Sequence, residues 1–170
     1  MPHPLVDQLR FARLQWLRAL DGVPEEDALR RLEPMNSIGW LATHLAWHEQ
    51  LYWLTRAQGQ TPEPQVNDLA ASGGPASTPP LGRALEAWVR VTAAADPYLD
   101  GLSIADLGRG VTVDGKPWPA TQGSWLHRMT YHYWFHTGEV MAIRQMLRHP
   151  DLPEFVGDLD TLAPYRAEEA

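Results

Sequence analysis

The chain has 170 residues, a formal net charge of −7 and no cysteine. That length fits a single domain, residues 1–170, able to bury a substantial core. The missing thiol excludes disulfides, thiolate metal sites and a cysteine nucleophile, so any metal rests on nitrogen and oxygen.

The 14 basic residues are scattered along the chain, which argues against nucleic acid and anionic membrane as partners. Arg10, Arg13 and Arg18 interrupt the apolar pattern of the N-terminus, as a signal peptide would not allow. No apolar run approaches the length of a membrane span, so the expected location is cytoplasmic. Eight tryptophans are a heavy load. They suit either a helical core filled with large rings or a pocket walled by them.

Leu5, Leu9, Ala12, Trp16 and Leu20 recur on one helical face and predict a first helix over about residues 4–21, ended by Gly22 and Pro24. The stretch before Pro34 has room for one more helical turn. Asn36 or Ser37 then caps a second helix over residues 37–58, apolar nearly all round, with Ile38, Leu41, Leu45, His48 and Tyr52 on its most hydrophobic side. Residues 59–78, rich in proline, glycine and small polar side chains, read as a long crossover loop. Thr78-Pro79 opens a third helix over 79–96, with Leu81, Leu85, Trp88, Thr92 and Ala95 as its stripe and Pro97 as its stop.

Val111, Thr112 and Val113 ahead of Asp114-Gly115 predict a short hairpin, with Trp118 as its anchor on the helices. Ser124 is the expected cap of a fourth helix over 124–148, and Pro150 forbids its extension. There Trp125, Met129, His132, His136, Val140, Ile143 and Leu147 fall within an arc of roughly 80°. The tail, 149–170, is expected to pack loosely or fray. The whole reads as an all-α, four-helix bundle with a long loop between helices two and three and a hairpin before helix four.

Four of the seven histidines form two HxxxH pairs, His44 with His48 and His132 with His136. Residues four apart on a helix share a face, so each pair aims one way. A buried imidazole is costly unless both ring nitrogens are bonded, and a divalent ion satisfies several at once. Satisfied core histidines are the plainer alternative. Neither pair is HExxH, because Leu45 and Tyr133 follow the first histidines, so metalloprotease chemistry is unsupported. His127 lies on another face.

The segments GWLATHLAWHE and HxxxHxGE resemble the DinB/YfiT-like superfamily of metal-binding four-helix bundles. The resemblance implies one divalent metal (zinc, nickel or iron) held by His44, His132 and His136. His48 is extra: an outer partner, an alternative ligand or a core residue. Where the family commonly has glutamine, this chain has Glu139, able to bind a ring N–H or to act on metal-bound water.

The resemblance further implies a thiol-dependent S-transferase, with a low-molecular-weight thiol and an electrophilic substrate as small-molecule partners, and a homodimer. Arg128 and Arg144 could contact a carboxylate on such a thiol, or be solvated charges. The alternatives are a hydrolase using metal-bound water, and a metal- or small-ligand-binding protein without turnover.

Overall fold

The structure is a computed structural model that describes residues 2–167. It is mostly helical, with one two-stranded sheet among the described residues. No helix in it is long and apolar enough to cross a membrane.

Helix α1 spans Pro4–Leu20, with proline in its first turn and the His3 ring accepting from the Leu5 N–H as cap. A short α2, Glu25–Leu29, fills the expected turn before Pro34. Helix α3, Ile38–Glu49, starts at the Ser37 cap, whose hydroxyl accepts from the Trp40 N–H. Here the expected single helix over 37–58 divides, because Gln50–Arg56 continues as a π-helical stretch. The buried Gln50 side chain donates to the Glu63 carbonyl and accepts from the Glu63 N–H, at 3.1 and 2.7 Å. A widened turn of this kind re-aims the side chains around it and recurs at functional sites.

The predicted loop holds a further short helix, α4, Gln65–Ala70, anchored by buried Val66 and Ala70. Helix α5 is Leu81–Asp100 and differs from expectation at both ends. Its first N–H, on Leu81, goes to the Glu25 carboxylate at 2.7 Å, so the cap comes from α2. Pro97 does not stop it. The missing bond is offset by buried Leu99 and by ion pairs from Arg10 to Asp96 and Asp100, which hold the last turn down.

A single turn, α6, Ile104–Leu107, leads through a Ser103/Asp106 capping box into strands β1, Gly110–Val113, and β2, Lys116–Thr121. The strands pair antiparallel, Val111 opposite Trp118, and Asp114 and Gly115 take the two positive-φ positions the tight turn requires. Trp118 is not the anchor: it is 52% exposed, whereas its cross-strand partner Val111 is buried.

Helix α7, Gln122–Met146, begins earlier than expected because Thr121 and Ser124 form a reciprocal capping box, with Thr121 as the cap. The tail is partly tied down. It carries α8, Leu159–Leu162, the Ala163 carbonyl accepts from Gln8, and Phe155 lies edge-on to Trp134 and under Arg18.

Helix α3 packs against α5 and α7, and α1 packs against α7. A side chain at Gly39 would collide with the Pro79 carbonyl oxygen, so this glycine permits the close approach of α3 to the chain entering α5. Trp16, Trp53, Leu9, Leu45, Leu126 and Met129 fill the centre.

A polar cluster also lies in that centre. Arg13 of α1, one of the three arginines that interrupt the N-terminal apolar pattern, is 5% exposed and grips Glu49 of α3 with two bonds of 2.7 Å. Its third nitrogen reaches Asp96 of α5 at 2.8 Å. Tyr133 of α7 donates to Glu49 at 2.8 Å and accepts from the Trp88 indole N–H of α5 at 2.7 Å. Burial opposes the Arg13 charge, yet the Glu49 carboxylate outweighs it and holds the guanidinium above its ordinary value. The Tyr133 hydroxyl is pushed well above its ordinary range, first by burial and then by Glu49. One satisfied network thus fastens all four long helices, beside His48 on α3 and His132 on α7.

Candidate metal centre

The second half of α3 and the middle of α7 lie side by side, which brings both histidine pairs to one place. The ring centroids of His44 lie 5.1 Å from His132 and 5.2 Å from His136, and those of His132 and His136 are 4.4 Å apart. A ligating nitrogen from each of the three lies within 4.8 Å of the others. His44 and His136 are buried and His132 is half-buried, so the cluster reaches solvent on the His132 side.

Hydrogen bonds on the outer nitrogens fix how each ring can work. The His44 Nδ1–H donates to the Ala70 carbonyl at 2.7 Å, which leaves its Nε2 with a free lone pair. The His136 Nδ1–H donates to Glu139 at 2.5 Å. The Nε2 atoms of His132 and His136 face each other at 2.7 Å, a contact that either a proton on one of the two nitrogens or a cation beside both satisfies. The outer side of His132 meets His48, Nδ1 to Nδ1, at 2.5 Å. With a cation on His132 Nε2, the His132 Nδ1–H would donate and His48 would accept.

Each inward nitrogen therefore has its own outer partner: a carbonyl, a carboxylate and a fourth imidazole. That is the arrangement by which proteins orient imidazole ligands and raise their basicity. Of the positions open to His48 in the sequence, the geometry favours the outer partner. Glu139 takes a ring N–H.

Aromatic rings wall the cluster. Trp40 stacks on His44 at 4.6 Å with its indole N–H on the Pro75 carbonyl, and Trp47 lies over both His44 and His48. Tyr52 lies 4.5 Å from His48 and stacks flat on Trp125 at 4.7 Å. The tryptophans thus divide between the two roles expected of them, Trp16 and Trp53 in the core and Trp40 and Trp47 against the histidines.

Burial, with the neighbouring ring charges behind it, lowers the His44 pKa from 6.5 to about 4 and the His48 pKa to about 3, and pushes His132 down further. These rings are neutral at pH 7, as ligation requires. The unfolded chain takes up protons at the ordinary value near 6.5, whereas folded His44 refuses them until about 4. The metal-free fold therefore loses stability as pH falls through that window and gains none above it, by about 3 kcal/mol for His44 alone. Urea unfolding of metal-free protein at pH 7.5, 5.5 and 4.5 checks this, and equal midpoints would contradict it.

The other sequence candidates fall elsewhere. Arg144 is buried and donates to the Ala19 carbonyl at 2.6 Å between α7 and α1, so it has no part in the site. His127 is exposed and stacks on Tyr131. Arg128 lies one turn before His132 and is exposed. Sequence reading missed Arg56, whose guanidinium lies over the Tyr52 and Trp125 rings. Its spacing of four from Tyr52 and eight from His48 was the available signal.

The fold and this cluster together define a class: a mostly helical protein with a triad of inward imidazoles that could hold one metal ion. The family model of the DinB superfamily matches residues 8–140, and the chain belongs to that superfamily. No curated protein matches the sequence.

Proposed function

We propose that the protein is a divalent-metal-dependent S-transferase, a four-helix bundle in which His44, His132 and His136 hold the ion and a small thiol is the first substrate. The observation that carries this reading is the set of three Nε2 atoms turned inward, each ring held from outside by Ala70, His48 or Glu139. Imidazole nitrogen suits zinc, nickel and iron. Held by these three neutral imidazoles, the ion would keep its full charge and would lower the pKa of a thiol bound to it.

The protein's own groups do the rest. His48 and His44, with conjugate acids near 3 and 4, are poor proton acceptors at pH 7, so they serve orientation and ligation, and the thiol proton leaves to solvent. Trp40, Trp47 and Tyr52 shield one side of the cluster from water. The sulfur lone pair then forms the bond to the electrophilic carbon, whose leaving group departs with its electron pair.

Hydrolysis has less support. It would need Glu139 to work on water through Oε1 alone, because its Oε2 accepts from the His136 N–H.

The test is to incubate metal-loaded protein with several low-molecular-weight thiols and a haloaromatic electrophile and to follow free thiol. The expected result is thiol loss that a chelator abolishes and added metal restores. Absence of metal-dependent loss with every thiol would overturn the proposal.

A further inference from the structure

Among the described residues eight arginines, Arg10, Arg13, Arg30, Arg31, Arg83, Arg90, Arg109 and Arg166, each hold an acid. Arg56 and Arg128 do not: among the described residues neither forms an ion pair. Both stand at the solvent side of the histidine cluster. Arg56, Tyr52 and His48 follow one another at a spacing of four, and the Arg56 guanidinium lies 5.5 Å from the Tyr52 ring centre and 5.8 Å from that of Trp125. Trp125 is on α7, three residues before Arg128, and Arg128 is one turn, about 6 Å along the axis, before His132.

The stacked Tyr52–Trp125 pair therefore forms a floor between the two cations, and His48 and His132 form the wall beyond it. The two guanidinium charges act on the same groups, His48 and the Tyr52 hydroxyl, and that of Arg128 also reaches His132. Glu139, the acid at the cluster, lies on its other side, bonded to His136. Among the described residues the side-chain charges that act on His48, Tyr52 and His132 are those of Arg56, Arg128 and the neighbouring rings, so the mouth is positive where a substrate would approach.

We infer that Arg56 and Arg128 form an anion seat beside the histidine triad, so that the substrate is a small carboxylate-bearing molecule whose donor atom, a few bonds away, reaches the metal. This rests on the metal-site reading above and narrows its thiol to one carrying a carboxylate. Guanidinium is the group of choice for a carboxylate, since its planar N–H fork matches the two oxygens. The aromatic floor fixes Arg56 by stacking without using its N–H donors, which remain free for the anion. Neither arginine touches the reacting atoms in this arrangement. They are recognition residues.

The test uses cobalt-loaded protein at pH 7.5 and two probe pairs that differ only in the distal charge. One pair is 3-mercaptopropionate against 3-mercaptopropanamide, and the other is imidazole-4-acetate against imidazole-4-acetamide, each followed by the visible cobalt spectrum. The expected result is a preference of about tenfold for the carboxylate member. In Arg56→Gln/Arg128→Gln that preference falls below about twofold while the neutral members bind as in wild type, and Arg56→Lys/Arg128→Lys restores part of it.

If both thiols leave the spectrum unchanged but imidazole-4-acetate keeps its preference, the S-transferase reading fails and the anion seat stands. No preference in wild type, a preference that survives in the glutamine variant, or no binding of any probe would overturn the inference.

Discussion

Glu49→Ala is expected to destabilise the protein by about 3–5 kcal/mol, the usual cost of leaving one member of a buried ion pair without its partner. Glu49 is fully buried and accepts three hydrogen bonds, two from Arg13 and one from Tyr133. Its removal strands the 5% exposed guanidinium with only Asp96 and leaves the Tyr133 hydroxyl without its acceptor. For a chain of this length the loss corresponds to a fall in melting temperature on the order of 10 °C. Glu49→Gln keeps the shape and an acceptor oxygen but not the charge, and should cost less, about 1–3 kcal/mol. The paired replacement Arg13→Met/Glu49→Leu should recover much of the stability, because it removes both charges together. Urea unfolding of the three variants checks the order. A loss below about 1 kcal/mol for Glu49→Ala would mean that the network is not what fastens the helices.

How much of this was legible follows from how local each cause is. The stripes of α1, α3, α5 and α7 depend on residues three and four apart, and the sequence carries that period openly. Both HxxxH pairs were readable for the same reason, and so was the hairpin, whose Asp-Gly turn is a local signal. Features decided by distant partners were not readable. The π-helical stretch follows from Gln50 bonding Glu63, and Pro97 is tolerated because Arg10 of α1 holds Asp96 and Asp100.

Arg13 looked like a surface charge because its partner lies 36 residues away. The available warning was Glu49 itself, an acid inside a helix with no polar face. The Ala70 carbonyl that orients His44 arrives on a short helix inside what reads as loop. The role of His48 could not be settled locally, since it depends on which α7 ring lies opposite.

The second large effect expected is loss of metal from His132→Ala/His136→Ala. These two rings supply the facing Nε2 atoms at 2.7 Å, and their outer nitrogens are bonded by His48 and Glu139. Removing both leaves His44 as one inward nitrogen, and a single imidazole does not retain a divalent ion against dialysis. Folding should survive, because His132 is half-buried at the rim and the neighbouring core residues, Met129, Tyr133 and Val140, stay in place. Circular dichroism of the variant provides that control. By contrast His48→Ala, which removes only an outer partner, should weaken binding by about 10–100-fold without abolishing it.

Metal analysis of wild type and the double variant, purified side by side without chelator and dialysed after loading with zinc, tests the metal site most directly. The geometry predicts about one ion per chain in wild type and less than about a tenth in the variant. Equal metal content in the two proteins, or none in wild type, would contradict a metal centre built on His44, His132 and His136.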